Sequence, residues 1–200
     1  MVVGIDEVGR GCVAGPVVCA AVALATPVPI PEGLADSKLL SQRRREALLE
    51  PVRQWATAWG VGWASADLID SFGIVAGLHL ASRAALNAIP LTAHSRTIII
   101  LDGNRDFLSK SPPRLVPATG PLPEQIQVIT VIKGDQKCAS VAGASILAKV
   151  ARDEFMAAQA ATYPDYGFAQ HVGYLTAAHR DALAKYGPTD LHRKSFAGVL

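Results

Sequence analysis

The chain has 200 residues, of which 50% are hydrophobic and 18% charged, enough apolar content for one full-sized core and too little charge for a disordered chain. Its net charge of +2 at pH 7 neither indicates nor excludes a nucleic-acid partner. The three cysteines are odd in number and lack metal-site spacing, so they imply neither a disulfide framework nor a zinc site. The absence of a long apolar run or a basic leader predicts a soluble cytoplasmic protein with no membrane partner.

The N-terminal segment predicts a strand that carries two acids. Residues 2–5 are mostly β-formers, and Asp6 and Glu7 follow in an apolar neighbourhood. Because a buried carboxylate without a partner is costly, either a solvated strand end or a bound cation must accommodate the pair. Neighbouring strand residues face opposite sides of a sheet. Both carboxylates therefore reach one site only if the strand ends or bulges at Glu7.

Two glycines follow the acidic pair. Gly9 and Gly11 supply the flexibility that a break in the strand needs, and they let backbone N–H groups approach a ligand closely. Arg10 lies between them as a candidate phosphate contact. The alternative is a glycine turn beside a surface acidic pair, and this segment alone leaves both interpretations open.

The middle of the chain alternates between strand and helix patterns. The predicted elements are, in order, a strand over 12–24, a proline-containing loop over 26–33, a helix from Gln42 to about Trp55, a short strand over 61–66 and a helical region over 67–87 that is interrupted near Gly73. Ser41 is a good N-cap for the first helix.

Two later strands lead into acids. The continuous apolar run from Thr97 to Leu101 predicts a central strand covered on both faces, and it ends directly at Asp102. A proline-rich loop over 108–123 comes next. A further strand over 126–132 is followed by Asp135 in a polar turn.

The last third of the chain is predicted to be mainly helical. A helix from Ser140 to about Ala161 is rich in small residues, which let a helix lie close against a sheet. Ser145 and Lys149 share one face of it by their i, i+4 spacing, with Arg152 beside them. The remaining features are a glycine and aromatic loop over 163–174, a helix from Thr176 to Tyr186 and a basic end at 192–194.

This order of elements predicts the fold class. No repeat and no linker divides the chain. Strands with helices between them predict one α/β domain over residues 1–200, with a five-stranded mixed sheet flanked by helices. The C-terminal helical extension is predicted to cover about residues 162–200.

Three predicted strands thus end or break at carboxylates, namely Asp6 with Glu7, then Asp102, then Asp135. Ligands of open α/β sheets gather at strand ends. Converging acids repel one another unless a hard cation such as Mg²⁺ binds them, and two metals can stabilise both oxygens of a phosphodiester displacement. The alternative is that Asp102 and Asp135 are ordinary turn acids. The sequence contains no P-loop phosphate motif, and its histidines are scattered.

Eight segments resemble bacterial ribonuclease HII, a type 2 ribonuclease H, in the family's order and over essentially the whole chain. They are GIDEVGRG (4–11), AGPVV (14–18), DSKLLS (36–41), LDGNR (101–105), KGD (133–135), ASILAKVARDE (144–154), YGFAQHVGY (166–174) and HRKSF (192–196). The resemblance implies a ribonuclease H-like fold. It also implies a metal-dependent endoribonuclease that hydrolyses the RNA strand of RNA–DNA hybrids and removes ribonucleotides misincorporated into duplex DNA, and we expect it to act as a monomer.

The resemblance also implies roles for individual residues. The four acids of a Mg²⁺ or Mn²⁺ site fall on Asp6, Glu7, Asp102 and Asp135. The family's glycine–arginine–glycine, which binds around the ribonucleotide 2′-OH, falls on Gly9, Arg10 and Gly11, and its junction-sensing tyrosine falls on Tyr174. The remaining candidate contacts to the duplex are Ser145 and, for its phosphates, Lys38, Lys149 and Arg152.

The chain departs from the family pattern at four positions. Cys12 stands where the family usually has proline, Leu40 replaces a lysine, and Val172 and Leu175 alter the residues around Tyr174. One lysine fewer at each of two places affects the expected strength of duplex binding. Two other functions stay open, a nuclease or recombinase acting on all-DNA and a non-catalytic hybrid-binding module. The four acids argue against the module, because binding alone favours cations.

Overall fold

A five-stranded mixed sheet forms the centre of the computed structural model, which describes residues 1–91, 96–109 and 121–199. Its strands are β1 (Val2–Val8), β2 (Val17–Leu24), β3 (Ala58–Ala64), β4 (Thr97–Asp102) and β5 (Ile126–Val131). They lie in the order β3-β2-β1-β4-β5. The pairs β1–β2 and β2–β3 are antiparallel, whereas β1–β4 and β4–β5 are parallel. The predicted mixed sheet of five strands is confirmed.

Helices cover both faces of this sheet. They are α1 (Gln42–Trp55), α2 (Ala66–Phe72), α3 (Ile74–Leu86), α4 (Gly134–Lys137), α5 (Ala139–Gln159), α6 (Phe168–His171) and α7 (Ala177–Tyr186). Two short 3₁₀ turns, Ser37–Leu39 and Pro164–Tyr166, precede α1 and α6. The predicted N-cap Ser41 is confirmed, because its Oγ accepts from the N–H of Arg44 at the start of α1. Within the described ranges, no helix is both long and apolar enough to span a bilayer.

Strand alternation divides the core into two layers. On one face Val3 and Ile5 of β1 pack with α2 and α3, and on the other face Ala20 and Val22 of β2 pack with α1 and α5. Gly4 lets α5 approach β1, since a Cβ there would lie 2.2 Å from the carbonyl carbon of Ser140. The long helix α5 therefore lies directly against the face to which even-numbered β1 residues point.

A third apolar cluster attaches the C-terminal segment to the rest of the fold. Met156 of α5 packs with Tyr166, Phe168 and Leu183, and Ala14 joins them from the N-terminal segment. An isolated bridge pairs Ala14 with His192. The C-terminal helices thus cover the end of α5 and the segment that links β1 to β2.

Several predicted boundaries change in the structure. The strand predicted over 12–24 begins only at Val17, because the segment before it hydrogen-bonds to the C-terminal part of the chain, with the Val13 N–H donating to Gly173 O and the Gly15 N–H to Leu191 O. The helical region over 67–87 is two helices separated at Gly73, as predicted. Most of the predicted proline-rich loop, residues 110–120, lies outside the described residues.

Candidate metal centre

Three carboxylates meet at one edge of the sheet. Asp6 lies in β1 and Asp102 ends β4, and these strands are parallel neighbours. Asp135 lies in α4, just after β5. Each of the three offers a ligand oxygen, and these oxygens lie within 4.8 Å of one another. The predicted convergence of these acids at parallel strand ends is present in the structure, although Asp135 sits in a short helix rather than in a turn.

Pleating explains why Asp6 and Asp102 share a side of the sheet. Ile5 and Leu101 are partners in the β1–β4 register, and both belong to the core layer under α3. The residues that follow them, Asp6 and Asp102, therefore point to the opposite face, where α5 lies. Asp135 reaches this face because Lys133 turns the chain in a left-handed conformation (φ 56°) into α4.

Glu7 is not among the three acids whose ligand oxygens lie within 4.8 Å of one another. The sequence made a site shared by both acids conditional on a break or bulge at Glu7, whereas β1 continues to Val8 with Glu7 paired opposite Cys19. Strand alternation therefore starts its side chain on the other face from Asp6, although the charges of Asp102 and Lys38 still act on its carboxylate. The Glu7 carboxylate lies 3.5 Å from an Arg10 guanidinium nitrogen. Burial raises the pKa of Glu7, Arg10 lowers it, and the charge of Asp102 raises it further.

Neighbouring donors hold the acids in place. The Gly134 N–H donates to Asp102 Oδ1 over 2.7 Å, and the Glu7 N–H donates to Asp6 Oδ1 over the same distance. Lys38 Nζ lies 3.1 Å from Asp135 Oδ2. Two of the three carboxylates are thus oriented by backbone donors, and the third is paired with a lysine whose side chain is 68% exposed.

The electrostatics of the cluster favour a cation. Burial and the charges of Glu7 and Asp102 raise the pKa of Asp6 well above its ordinary value of 3.8. Burial raises the pKa of Asp135 as well, against the lowering effect of Lys38. Carboxylates that raise one another's pKa by repulsion gain from a bound divalent ion. Three hard oxygen donors and no thiolate or imidazole suit Mg²⁺ or Mn²⁺, so the residues present fit such an ion.

The glycine loop, residues 9–11, follows the acids directly. Gly9 has φ +83°, and a Cβ there would lie 2.1 Å from Arg152 Nε. This close approach requires glycine at position 9. A Cβ at Gly11 would meet no heavy atom within 4 Å, and the Arg10 side chain is 48% exposed. The outer part of the loop is therefore open to an approaching ligand.

Arg152 was predicted to contact phosphate, and its burial contradicts that role. The side chain has no solvent exposure. Its guanidinium donates to three backbone carbonyls, those of Ala14 (3.0 Å), Pro16 (2.9 Å) and Val172 (2.7 Å). Arg152 instead joins the N-terminal segment to the loop before Tyr174.

Ser145 is also unsuited to its predicted contact with the duplex. It is 3% exposed, and its hydroxyl donates to the Ser37 hydroxyl over 2.6 Å while accepting from the Ser37 N–H. It anchors the 3₁₀ turn that carries Lys38. Lys149, by contrast, keeps a side chain that is 19% exposed and pairs with Asp153 over 2.7 Å. Arg10, Lys38 and Lys149 remain the predicted phosphate contacts that solvent can reach.

Tyr174 lies beside the glycine loop despite its distance in sequence. Its side chain is 49% exposed, and burial together with the neighbouring Cys12 raises the pKa of its hydroxyl. The N–H groups of Val13 and Ala14 both donate to the Gly173 carbonyl, over 3.0 and 3.2 Å. The structure thus brings two of the predicted recognition elements together at one surface.

Sequence reasoning assigned no role to two buried charges in this region. Asp36 is 3% exposed, caps the 3₁₀ turn and accepts from the Gln136 side chain next to Asp135. Arg193 has no exposure and donates to the carbonyls of Arg10 (3.1 Å) and Gly15 (2.8 and 3.0 Å). Both lie in segments that carry the family resemblance, which was the signal available for them.

Comparison with known proteins relates nearly the whole chain to one family. The family model described as ribonuclease HII matches residues 3–199. A ribonuclease HII from Streptomyces avermitilis is 46% identical over 199 residues, which cover 98% of this chain and 77% of that protein.

Solved structures identify the fold. The ribonuclease H2 of Pyrococcus horikoshii OT3 has a TM-score of 0.76 at 23% identity and covers 99% of this chain and 94% of its own. Bst-RNase HIII, crystallised in complex with Mn²⁺, has a TM-score of 0.66 at 20% identity and covers 99% of this chain and 67% of its own. The predicted ribonuclease H-like fold is confirmed.

Proposed function

Because the chain belongs to the ribonuclease HII family, we propose that it hydrolyses the RNA strand of RNA–DNA hybrids and cuts 5′ to single ribonucleotides embedded in duplex DNA. A water molecule attacks the phosphorus on the 5′ side of the ribonucleotide and forms the new P–O bond, while the bond from phosphorus to the 3′ oxygen of the preceding nucleotide breaks and that oxygen takes up a proton. The products are a 3′-hydroxyl and a 5′-phosphate. In the cell this reaction removes ribonucleotides that were misincorporated into DNA. The protein acts in the cytoplasm, as a monomer with a single catalytic domain.

The single observation that carries the proposal is the meeting of Asp6, Asp102 and Asp135. The residues that would hold Mg²⁺ or Mn²⁺ are these three, with Glu7 as the proposed fourth acid. When bound, two such cations supply charge stabilisation to the attacking and leaving oxygens of a phosphodiester. The protein itself fixes the acids, through the N–H groups of Gly134 and Glu7 and through Lys38.

Recognition of the ribonucleotide falls to the surface beside the acids. The 2′-OH is the group that distinguishes RNA from DNA at a given site, and it both donates and accepts hydrogen bonds. Backbone groups of Gly9 and Gly11 read it, supported by the open space over Gly11. Arg10, Lys38 and Lys149 contact phosphates, and each has an at least partly exposed side chain.

Tyr174 senses the junction between RNA and DNA. Its half-exposed ring lies next to the glycine loop, where an aromatic surface can stack against the sugar that follows the ribonucleotide. A deoxyribose fits this place better than a ribose, because it lacks the 2′-OH. The alternative is that Tyr174 only packs the loop. In that case Tyr174→Ala would lower thermal stability and affect every substrate alike.

Cleavage mapping on a duplex with one embedded ribonucleotide tests the proposal. We expect a single cut on the 5′ side of the ribonucleotide, dependent on Mg²⁺ or Mn²⁺, and no cut in the same duplex made entirely of DNA. The acid variant Asp102→Asn serves as the inactive control. Cleavage of the all-DNA duplex would identify a different nuclease of this fold, and binding of a hybrid without any cleavage would identify a non-catalytic module.

A further inference from the structure

Three histidines pack against the backbone around Tyr174, outside the acid cluster. His171 ends α6, His179 lies in the first half of α7, and His192 belongs to the C-terminal segment. His179 and His192 are buried. The rings of His171 and His179 stack with centroids 4.3 Å apart and 14° between their planes. Phe168 meets both rings edge to face. The proposed reaction gives this cluster no role.

Hydrogen bonds determine the tautomer of His171. The Gly173 N–H donates to its Nδ1 over 3.1 Å, so this nitrogen carries a lone pair. The proton is therefore on Nε2, which lies 2.6 Å from the Tyr166 carbonyl and donates to it. A neutral ring in this tautomer satisfies both partners.

The same reasoning determines a chain of two further rings. The Thr189 N–H donates to His192 Nδ1 over 2.9 Å, which assigns the His192 proton to Nε2. This N–H donates to His179 Nε2, 2.9 Å away. His179 must then carry its proton on Nδ1, which donates to the Tyr174 carbonyl over 2.9 Å. The bond between the two rings holds only while His179 is neutral, because a proton on its Nε2 would face the N–H of His192. A proton on His192 Nδ1 could instead be donated to the Thr189 hydroxyl oxygen, 2.9 Å away.

The backbone at Tyr174 depends on such anchors. Val172 has a left-handed φ angle of +43°, which a β-branched residue keeps only when its surroundings over-determine it, and Gly173 follows with φ +91°, which glycine adopts freely. Gly173 is held through its N–H by His171 and through its carbonyl by the N-terminal segment. His179 holds the carbonyl of Tyr174 itself.

The surroundings keep the two buried rings neutral. Burial lowers the pKa of His179, and burial together with His179 lowers the pKa of His192 to about 4. The titratable and charged groups that face the pair are His171 from α6, Tyr166 from the preceding 3₁₀ turn and Lys194 from the C-terminal segment. No carboxylate of the described residues hydrogen-bonds to these rings. A proton added to His179 would place its Nε2–H group against the Nε2–H group of His192.

We propose that His179 and His192 are positioning residues for Tyr174. Their hydrogen-bonded chain sets the backbone position of the tyrosine relative to the glycine loop, and junction recognition weakens when His179 takes up a proton and loses its bond to His192. This inference rests on the proposed sensor role of Tyr174. It predicts a defect confined to substrates that need the sensor, which a packing role of the histidines would not produce.

Two substitutions of one residue separate positioning from packing. In His179→Asn the side-chain amide nitrogen takes the place of Nδ1 and keeps the bond to the Tyr174 carbonyl. In His179→Gln the amide takes the place of Nε2, so the partner of His192 is kept and the bond to Tyr174 is lost. The measured quantity is the ratio of single-turnover cleavage rates on a single-ribonucleotide duplex and on a long hybrid. This ratio cancels effects of metal and pH that both substrates share.

We expect His179→Gln to lower the ratio by about fivefold or more, as loss of one hydrogen bond does, and His179→Asn to stay within about twofold of the wild type. The wild-type ratio should fall as the pH is lowered below about 6.5 and His179 is protonated, and His179→Asn, which has no ring to protonate, should lose this fall. Equal ratios in both variants, or a wild-type ratio that is flat with pH, would overturn the positioning role. The pH profile decides the matter alone if His179→Gln does not fold.

Tyr174→Ala distinguishes a failure of this inference from a failure of the proposed function. If Tyr174→Ala leaves the ratio unchanged, the sensor role itself is refuted. If Tyr174→Ala lowers the ratio while His179→Gln does not, only the positioning role is refuted. Melting temperatures of all three variants show whether each protein is folded under the assay conditions.

Discussion

Asp102→Asn removes a charge from the candidate metal site while keeping the shape of the side chain. The ligand oxygens of Asp6, Asp102 and Asp135 lie within 4.8 Å of one another. At that distance two negative charges repel by about 3.5 kcal/mol at an effective dielectric constant of about 20. The repulsion is smaller than this in the protein, because the pKa of Asp6 is raised and Asp135 is paired with Lys38. The asparagine Oδ1 still accepts from Gly134, so we expect the metal-free variant to be more stable than the wild type by about 1–3 kcal/mol.

Thermal denaturation in chelator and then in increasing Mg²⁺ measures this effect. A gain of 1 kcal/mol corresponds to about 2–4 °C for a chain of this size. A metal that binds only the folded state stabilises the wild type as its concentration rises, so the order of stabilities should reverse at high Mg²⁺. The folded state raises the pKa of Asp6, so this group contributes less stability as pH rises above 3.8. The advantage of the variant in chelator should therefore grow with pH.

Asp106→Asn is the matched control. Asp106 accepts from the N–H groups of Leu108 and Ser109 over 2.9 Å, and from the Ser109 hydroxyl, outside the acid cluster. We expect Asp106→Asn to change the free energy of unfolding by about 0.5 kcal/mol or less and to change turnover little. Turnover of Asp102→Asn should fall by orders of magnitude. An Asp102→Asn protein that is less stable than the wild type in chelator, or equally stabilised by Mg²⁺, would refute the reasoning.

Three further outcomes follow from the structure. Activity should vanish in chelator and return with Mg²⁺ or Mn²⁺, and full cleavage in chelator would exclude the metal centre. Arg152→Met should lower the free energy of unfolding in urea by more than about 3 kcal/mol, because three buried carbonyls lose their donor. Lys149→Ala should lower it by about 1 kcal/mol or less, and it should reduce the slope of log duplex affinity against log salt by roughly one unit. Equal stabilities of the two variants would contradict this contrast. Val172→Asn should stabilise the protein in urea by about 1 kcal/mol, because asparagine tolerates the left-handed backbone there (φ +43°) better than a β-branched residue, and a loss of stability would show that no strain is relieved.

The acids could be found from the sequence because local patterns place them. The apolar run before Asp102 indicates a buried central strand, and parallel neighbours bring their carboxyl ends to one edge of the sheet. The same reasoning was incomplete at Glu7. It made a shared site for both acids conditional on a break in β1 and left that condition open, whereas the ladder continues to Val8 and strand alternation separates the two side chains.

Sequence by itself determined the strands, the main helices and the carboxylates at the strand ends, because these depend on the periodicity and turn chemistry of contiguous residues. Tertiary structure alone decided what the polar residues of the C-terminal half do. Arg152 is polar by type and lies on a helix face that was predicted to meet phosphate, yet it is buried because Ala14 and Pro16, more than 130 residues away, supply its acceptors. Tyr174 likewise lies near the glycine loop because the carbonyl of the preceding Gly173 accepts from the N–H groups of Val13 and Ala14. The burial of a charged side chain depends on which distant carbonyls satisfy it, and no local pattern encodes that pairing.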